Sequence, residues 1–350
     1  NHCDNHFRSI ALASTMSVLI SACLVAIALT LGYQYNRYIN RIETLSRTYA
    51  PLSCHKIGDH LLHGPEDIAF SRGNGLLFVS SHNRRNMSST GSLYTVNVTS
   101  EVVRHFDILY PDNFRPHGMA IAQCESLEIL FVISHRHETN MMHTIEVFEY
   151  NLEHDSLEHV RTLASSKLVS PNDLIALDCN RLIVSNDHGD GILPRLLWDD
   201  VTQSRRSDMV YFDGKDWHFL NTYAAFGNGL ILHHQAGRDY LLRSSAADYS
   251  LLTYEILQSQ DEHLTLRLVH DEKLPLSPDN IEFDEVTGGG VITGHPSTGQ
   301  FVLHAALHLP SPSASILYHG FGNYSSLYYD NGQQLSASSV AVRTIDGKKV

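Results

Sequence analysis

Beyond residue 34 the apolar residues of this chain come in short runs, and none has the length or spacing of a long helix. Strand-like runs occupy residues 76–81 (LLFVSS), 92–98 (SLYTVNV), 128–134 (EILFVIS), 144–152 (TIEVFEYNL) and 181–186 (RLIVSN). They continue at 208–212 (DMVYF), 229–234 (GLILHH), 240–245 (YLLRSS), 251–257 (LLTYEIL) and 290–295 (GVITGH). Most are rich in β-branched or aromatic side chains and are bounded by Gly, Asn, Asp or Ser. Short strands recurring over about 300 residues restrict the fold to a sandwich, a barrel or a propeller. The runs fall into successive groups of roughly 40 to 50 residues, a length that fits a four-stranded propeller blade. No blade motif repeats crisply, so periodicity alone supports an all-β chain and nothing finer.

Charge narrows the partners. Against 25 Lys+Arg stand 38 Asp+Glu, a formal net charge of −13 over 350 residues. An acidic surface argues against nucleic acid, whose phosphates need clustered Lys and Arg, and it suits hard cations. The 23 histidines are scattered, and their number alone decides nothing.

The N-terminal stretch is different. No charged residue lies between Arg8 and Arg37, and residues 10–31 are almost wholly apolar. At about 1.5 Å per residue such a run spans a ~30 Å hydrocarbon core. A cleavable signal peptide is the competing reading, but no small-x-small site followed by a polar stretch stands out, so a signal-anchor is expected. The domain expectation is therefore a membrane segment over 1–33, a juxtamembrane stalk over 34–53 and a β-propeller hydrolase domain over 54–350. Arg37, Arg41 and Arg47 outnumber Arg8 and would keep the body cytoplasmic. The sequons at Asn86, Asn97 and Asn323 are glycosylation candidates and point the other way. The sequence begins at Asn1 and stops at Gly347-Lys348-Lys349-Val350, where a strand-like run is expected to begin, so it reads as a C-terminally incomplete fragment.

Four short segments interrupt the strand background: Gly64-Pro65-Glu66-Asp67, Pro171-Asn172-Asp173, Gly227-Asn228-Gly229 and Pro278-Asp279-Asn280. Each alone reads as a turn. Yet each is followed by an apolar residue (Ile68, Leu174, Leu230, Ile281), which places the polar groups at strand entrances. Their oxygens are hard donors that suit Ca²⁺ and not Zn²⁺. In Glu66-Asp67 and Asn172-Asp173 adjacent side chains point oppositely if extended, so the pairs can feed two metals along one axis. Glu66, Asn172, Asn228, Asp279 and Asn280 make one set with two formal negative charges, and Asp67 and Asp173 supply another two. A near-neutral, amide-rich site leaves the metal acidic enough to polarise a carbonyl. Histidines recur in Pro116-His117-Gly118 and Ser134-His135-Arg136-His137, where a pair near metal ligands suits a general base and its partner. No Gly-x-Ser-x-Gly elbow and no His-Glu-x-x-His spacing is present.

Taken in order, Glu-Asp, Pro-His-Gly, Ser-His, Val-Phe-Glu-Tyr, Pro-Asn-Asp, Ser-Asn-Asp-His, Phe-x-Asn-Gly, Asp-Asn-Ile and Gly-His-Pro resemble the serum paraoxonase/arylesterase family from about Cys54 onward. The resemblance implies a six-bladed β-propeller with two Ca²⁺ in a central tunnel. It implies hydrolysis of lactones and aryl esters and, in some members, of organophosphate triesters. Carried over, the catalytic Ca²⁺ would be held by Glu66, Asn172, Asn228, Asp279 and Asn280, and the structural Ca²⁺ by Asp67, Asp173 and the Met119 carbonyl. His117 would be the base with His135 beside it, and Phe226 and His295 would line the substrate pocket. The family also pairs the position of Cys54 with a cysteine near the C-terminus, which this sequence lacks. Ser81-His82-Asn83-Arg84-Arg85, where the family has part of a mobile active-site loop, is basic here, a departure that bears on substrate preference.

The expected activity is thus calcium-dependent ester hydrolysis, with His117 or a ligating carboxylate (Glu66 or Asp279) as base or nucleophile. An oxygen-only site of modest affinity fits extracellular calcium, so a lumenal, membrane-anchored or secreted body is expected. Two alternatives remain: a gluconolactonase-type sugar-lactone hydrolase with one metal, and a non-catalytic membrane-anchored propeller that binds a partner or lipid.

Overall fold

The computed structural model describes residues 21–25, 28–29, 32–33, 55–58, 60–86, 88–135, 143–190, 199, 202–258, 264–284 and 286–343. The chain divides into two units, Asn1–Thr48 and Tyr49–Val350. In the first, residues 21–25, 28–29 and 32–33 are helical. Among the described residues no helix is long and apolar enough to cross a membrane. Residues 10–20, Cys54 and His137 lie outside the described residues.

The second unit is built from antiparallel four-stranded meanders. The first blade is β1 (Pro65–Phe70), β2 (Leu77–Ser81), β3 (Ser92–Asn97) and β4 (Val102–His105). The second is β5 (Pro116–Cys124), β6 (Leu127–Ser134), β7 (Thr144–Asn151) and β8 (Ser156–Ala164). The third holds β9 (Pro171–Ala176), β10 (Leu182–Asn186), β11 (Met209–Phe212) and β12 (Trp217–Phe219). The fourth holds β13 (Gly227–Gln235), β14 (Arg238–Ser245), β15 (Ser250–Gln258) and β16 (Leu264–Lys273). The fifth holds β17 (Ser277–Phe283), β18 (Gly290–His295), β19 (Ser313–Gly320) and β20 (Asn323–Asp330), with helix α1 (Thr298–Leu307) between β18 and β19. The first strands of successive blades are neighbours, β1 with β5, then β9, β13 and β17.

Packing explains the strand sequences. Ile129, Phe131 and Ile133 of β6 face Leu174, Leu182 and Val184 of the third blade. Leu130 and Val132 face Phe78 and Leu93 of the first. A strand buried on both faces reads as a continuous apolar run, not an alternation. Outer strands are different: β8 and β16 are exposed or half-buried at every residue but Leu157 and carry charges along an open edge. A disulfide, Cys124–Cys179, ties the end of β5 to the β9–β10 turn. Closing a loop with a sequence separation of 55 is worth about 4 kcal/mol in the chain-entropy account.

The count of blades needs correction. Six were expected, and the described residues form five four-stranded sheets. Between the fifth and the first blade runs one extended segment. Ser339 Oγ donates to the Glu66 carbonyl of β1 (2.7 Å), and Asn280 N of β17 donates to the Ser339 carbonyl (3.1 Å). Val340 and Val342 pack on the core of the first blade and Ala341 on that of the fifth. Two-sided alternation lets one segment join both blades where a full sheet was anticipated.

Candidate active site

Every blade pairs its first two strands irregularly at the same level. The shifts fall between Pro65 and Ile68, Pro116 and Met119, Gly227 and Leu230, and Pro278 and Ile281. In the third blade the shift lies opposite Ser185 and Asn186, with Asn172 as the additional residue. A bulge re-aims side chains out of the pleat. Position by position, Glu66, His117, Asn172, Asn228 and Asp279 are equivalent, as are Asp67, Gly118, Asp173, Gly229 and Asn280. Two glycines are there because backbones touch. A Cβ on Gly118 would stand 2.5 Å from the Asn172 carbonyl, and one on Gly229 2.6 Å from that of Asp279.

Contacts link Asn228, Asp279 and His295 in one group and Asn280, Glu66 and His117 in another. Asn228 Nδ2 donates to Asp279 Oδ1 (2.5 Å), and His295 Nε2 lies 3.1 Å from Asp279 Oδ2. Asn280 Nδ2 donates to Glu66 Oε1 (3.4 Å), and Glu66 Oε2 stands 3.5 Å from His117 Nδ1. Four buried oxygens from four blades are left without a hydrogen bond: Glu66 Oε2, Asn172 Oδ1, Asn228 Oδ1 and Asn280 Oδ1. Each such orphan ordinarily costs about 1–3 kcal/mol. A common occupant that accepts oxygen donors removes the cost, and hard oxygens from carboxylate and amide fit a calcium-type dication. Among the described residues no three His, Cys, Asp or Glu side chains form a metal-holding group by themselves. The set depends on three asparagines.

Asp67 and Asp173 are held differently. Asp67 Oδ2 accepts from Met119 N (2.6 Å) and Oδ1 from Ile68 N (2.9 Å). Asp173 Oδ2 accepts from Leu230 N (2.6 Å) and Oδ1 from Leu174 N (2.7 Å). Each carboxylate thus staples its own blade to the next, and neither leaves an orphaned oxygen to mark a second ion.

Crowding these carboxyls into one buried place shifts them upward. Burial, aided by Asp279 and Asp173 and opposed by Arg84, pushes Glu66 up to about 8. Burial pushes Asp173 up to about 7 despite its backbone hydrogen bonds. Asp67 is raised well above the usual range by burial and by Glu282, Asp173 and Glu66. The folded state then holds protons that the unfolded chain releases near pH 4, so stability of the metal-free protein falls as pH rises. The contribution is full below about pH 4 and gone above about 8. Denaturant midpoints in chelator are expected to be lower at pH 8 than at pH 5, and Ca²⁺ to narrow the gap. A pH-flat midpoint in chelator would speak against a charged, uncompensated cluster.

Histidines border the set. His117 is buried, and burial together with the charges of His135, Arg84, His143 and His82 holds it well below the usual imidazole range. Its ring meets His135 edge-on (4.6 Å between centroids), and His135 Nδ1 lies 3.0 Å from His143 Nδ1. Phe226 has φ 56° and sets its ring against His188 (4.9 Å). His295 stacks on Phe301 of α1 (3.9 Å). Of the sequons, Asn86 and Asn323 are exposed and Asn97 is half-buried.

The Arylesterase family model matches residues 59–349, which is most of the chain. The chain belongs to the arylesterase family. It is 23% identical over 340 residues to the serum paraoxonase/lactonase 3 of Mus musculus, covering 92% of each chain. It is 23% identical over 358 residues to the serum paraoxonase/arylesterase 2 of Gallus gallus, covering 95% of this chain and 96% of that one. Among solved structures, a Bombyx mori GH32 β-fructofuranosidase aligns over 87% of this chain and 71% of its own with a TM-score of 0.49 at 8% identity.

Several residues around the site escape a reading of the sequence. Glu282 follows Asn280 by two positions on β17, hence on the same face, and burial together with Asp173 and Glu66 raises its carboxyl. That i, i+2 relation was the available signal. Ser339 had only its place in the recurring pattern of first strands, and His143 had none, because it is brought in by a neighbouring ring.

Proposed function

We propose that this protein is a calcium-dependent hydrolase of lactones and aryl esters. The observation that carries this reading is that four buried oxygens, from Glu66, Asn172, Asn228 and Asn280 on the bulged first strands of four blades, lack a hydrogen bond, with Glu66 beside His117. Those residues with Asp279 would hold the ion, which supplies Lewis acidity toward an ester or lactone carbonyl. Asp279 orients the set by accepting from Asn228 and pairing with His295. His117 is kept neutral by burial and so can take a proton from attacking water, its ring meeting His135 and, through it, His143. Asp67 and Asp173 lock adjacent first strands and fix the spacing of their neighbours Glu66 and Asn172. A second, structural ion at Asp67, Asp173 and Met119, hydrolysis of organophosphate triesters, and a lumenal or extracellular body are further parts of the proposal.

Phenyl acetate and a γ- or δ-lactone test it. Turnover of both is expected, lost in chelator and restored by Ca²⁺, with bound calcium counted in parallel. Chelator-resistant turnover, or bound calcium with no turnover of either ester, would defeat the proposal.

A further inference from the structure

We infer that Arg84 is a specificity residue that anchors an anionic group of the substrate, so that the preferred esters or lactones carry a carboxylate or phosphate. The inference rests on the hydrolase reading above and names the substrate class for that site. Arg84 lies on the turn after β2, and its Nη1 reaches to 3.4 Å from Nδ1 of His117. His117 in turn stands beside the unbonded oxygen of Glu66. The residue is exposed, so its guanidinium stands at the boundary between solvent and the buried set.

Several other arginines of the propeller are paired with carboxylates. Arg104 pairs with Asp155, Arg181 with Asp178, Arg205 with Asp248 and Asp271, Arg206 with Asp190 and Asp199, and Arg343 with Asp284. No described carboxylate forms such a pair with Arg84; its hydrogen bond goes to an imidazole. An arginine presents up to five donors in a planar fork, and one contact to a ring nitrogen leaves most of them for a ligand.

The turn that carries Arg84 is braced. Arg84 N donates to the His82 carbonyl (2.8 Å), Arg85 N to Asn83 Oδ1 (3.2 Å) and Asn86 N to the Asn83 carbonyl (2.9 Å). His82 is buried and its Nε2 meets the Ser89 carbonyl (3.1 Å). Arg85 Nη2 reaches His304 of α1 (3.1 Å). The backbone that carries Arg84 is therefore ordered before a ligand arrives, which lowers the ordering cost of binding.

The test uses the full chain loaded with Ca²⁺ and the matched substrates 4-acetoxybenzoate and 4-acetoxybenzamide, which differ in charge and hardly in shape. Wild-type kcat/KM is expected to favour the carboxylate by about tenfold or more, a difference of about 1.4 kcal/mol. Arg84→Gln should bring the ratio to about one, chiefly through KM for the carboxylate, and Arg84→Lys should keep part of the preference. Calorimetry with 4-hydroxybenzoate and 4-hydroxybenzamide reads binding without turnover. Equal kcat/KM for the two wild-type substrates, or a preference that survives in Arg84→Gln, overturns the inference. Should neither ester be hydrolysed, the hydrolase reading fails by itself. Carboxylate-selective binding lost in Arg84→Gln would still support the anchor, and its absence would overturn both.

Discussion

Asp279→Ala is expected to lower kcat/KM for phenyl acetate and for a lactone by about a thousandfold or more, the scale on which fixed electrostatic partners of a reacting carbonyl act. One oxygen of Asp279 accepts from Asn228 and the other meets His295, so its removal loosens two neighbours as well as deleting a charge. Bound calcium should fall by one in the same variant. His117→Gln is expected to lose about 10²–10⁴-fold while retaining calcium, because it removes a proton acceptor and no ion ligand. Wild-type turnover in Asp279→Ala would show that the first set of oxygens is not where the reaction occurs. Full activity in His117→Gln with loss in Asp279→Ala would move the base to a carboxylate.

The largest effect on stability is expected at a site remote from the chemistry. Arg243 of β14 is fully enclosed. Its Nε donates to Ser185 Oγ (3.1 Å), Nη1 to the Thr222 carbonyl (2.9 Å), and Nη2 to the Asn186 carbonyl (3.0 Å) and Ser207 Oγ (2.9 Å). One side chain of the fourth blade thus closes the hydrogen bonds of β10 and its neighbours in the third. Arg243→Met matches the length of the stem and leaves those carbonyls without a donor inside the protein. A loss of about 3–5 kcal/mol is expected, the scale of leaving two or three buried acceptors unpaired at about 1–3 kcal/mol each. It would be read as a shift of the urea midpoint at constant slope. A loss under about 1 kcal/mol would mean that water or rearrangement replaces the guanidinium.

Much of this was legible in the amino-acid sequence, and the gaps have physical causes. Each apolar run marked as a strand is one in the structure, because those runs are β2, β3, β6, β7, β10, β11, β13, β14, β15 and β18, packed against neighbouring blades. The first strands β1, β5, β9 and β17 were missed as strands. Their opening residues are the polar ones, so Pro65-Glu66-Asp67 and Pro278-Asp279-Asn280 read as turns, and only the bulge makes such residues compatible with pairing. Outermost strands such as β4 (VVRH) and β16 (LTLRLVHDEK) were missed because a solvated edge needs no apolar face. A repeat was nevertheless present: Pro65, Pro116, Pro171, Gly227 and Pro278 recur at intervals of a little over fifty residues, each followed by two site residues and then an apolar one. Seen that way, His117 belongs to the same series as Glu66 and Asp279, and Ala337-Ser338-Ser339-Val340 is its continuation without a sheet of its own. Cys124–Cys179 was not foreseen, since connectivity cannot be read from cysteine positions. Arg84 was visible as an unusual basic residue, but its reach to His117 depends on a turn whose shape is set by Asn83 and Ser89.

The segment around Ser339 fastens Glu66, near the beginning of the propeller, and Asn280, near its end, to the same short piece of backbone. On the ribosome Glu66 emerges more than two hundred residues before Asn280, and Ser339 later still. A nascent chain therefore cannot assemble the oxygens of the proposed ion site blade by blade. The centre comes into being only when the ring is fastened, so partly synthesised or clipped chains that have lost residue 339 should be inert whatever blades they have already folded.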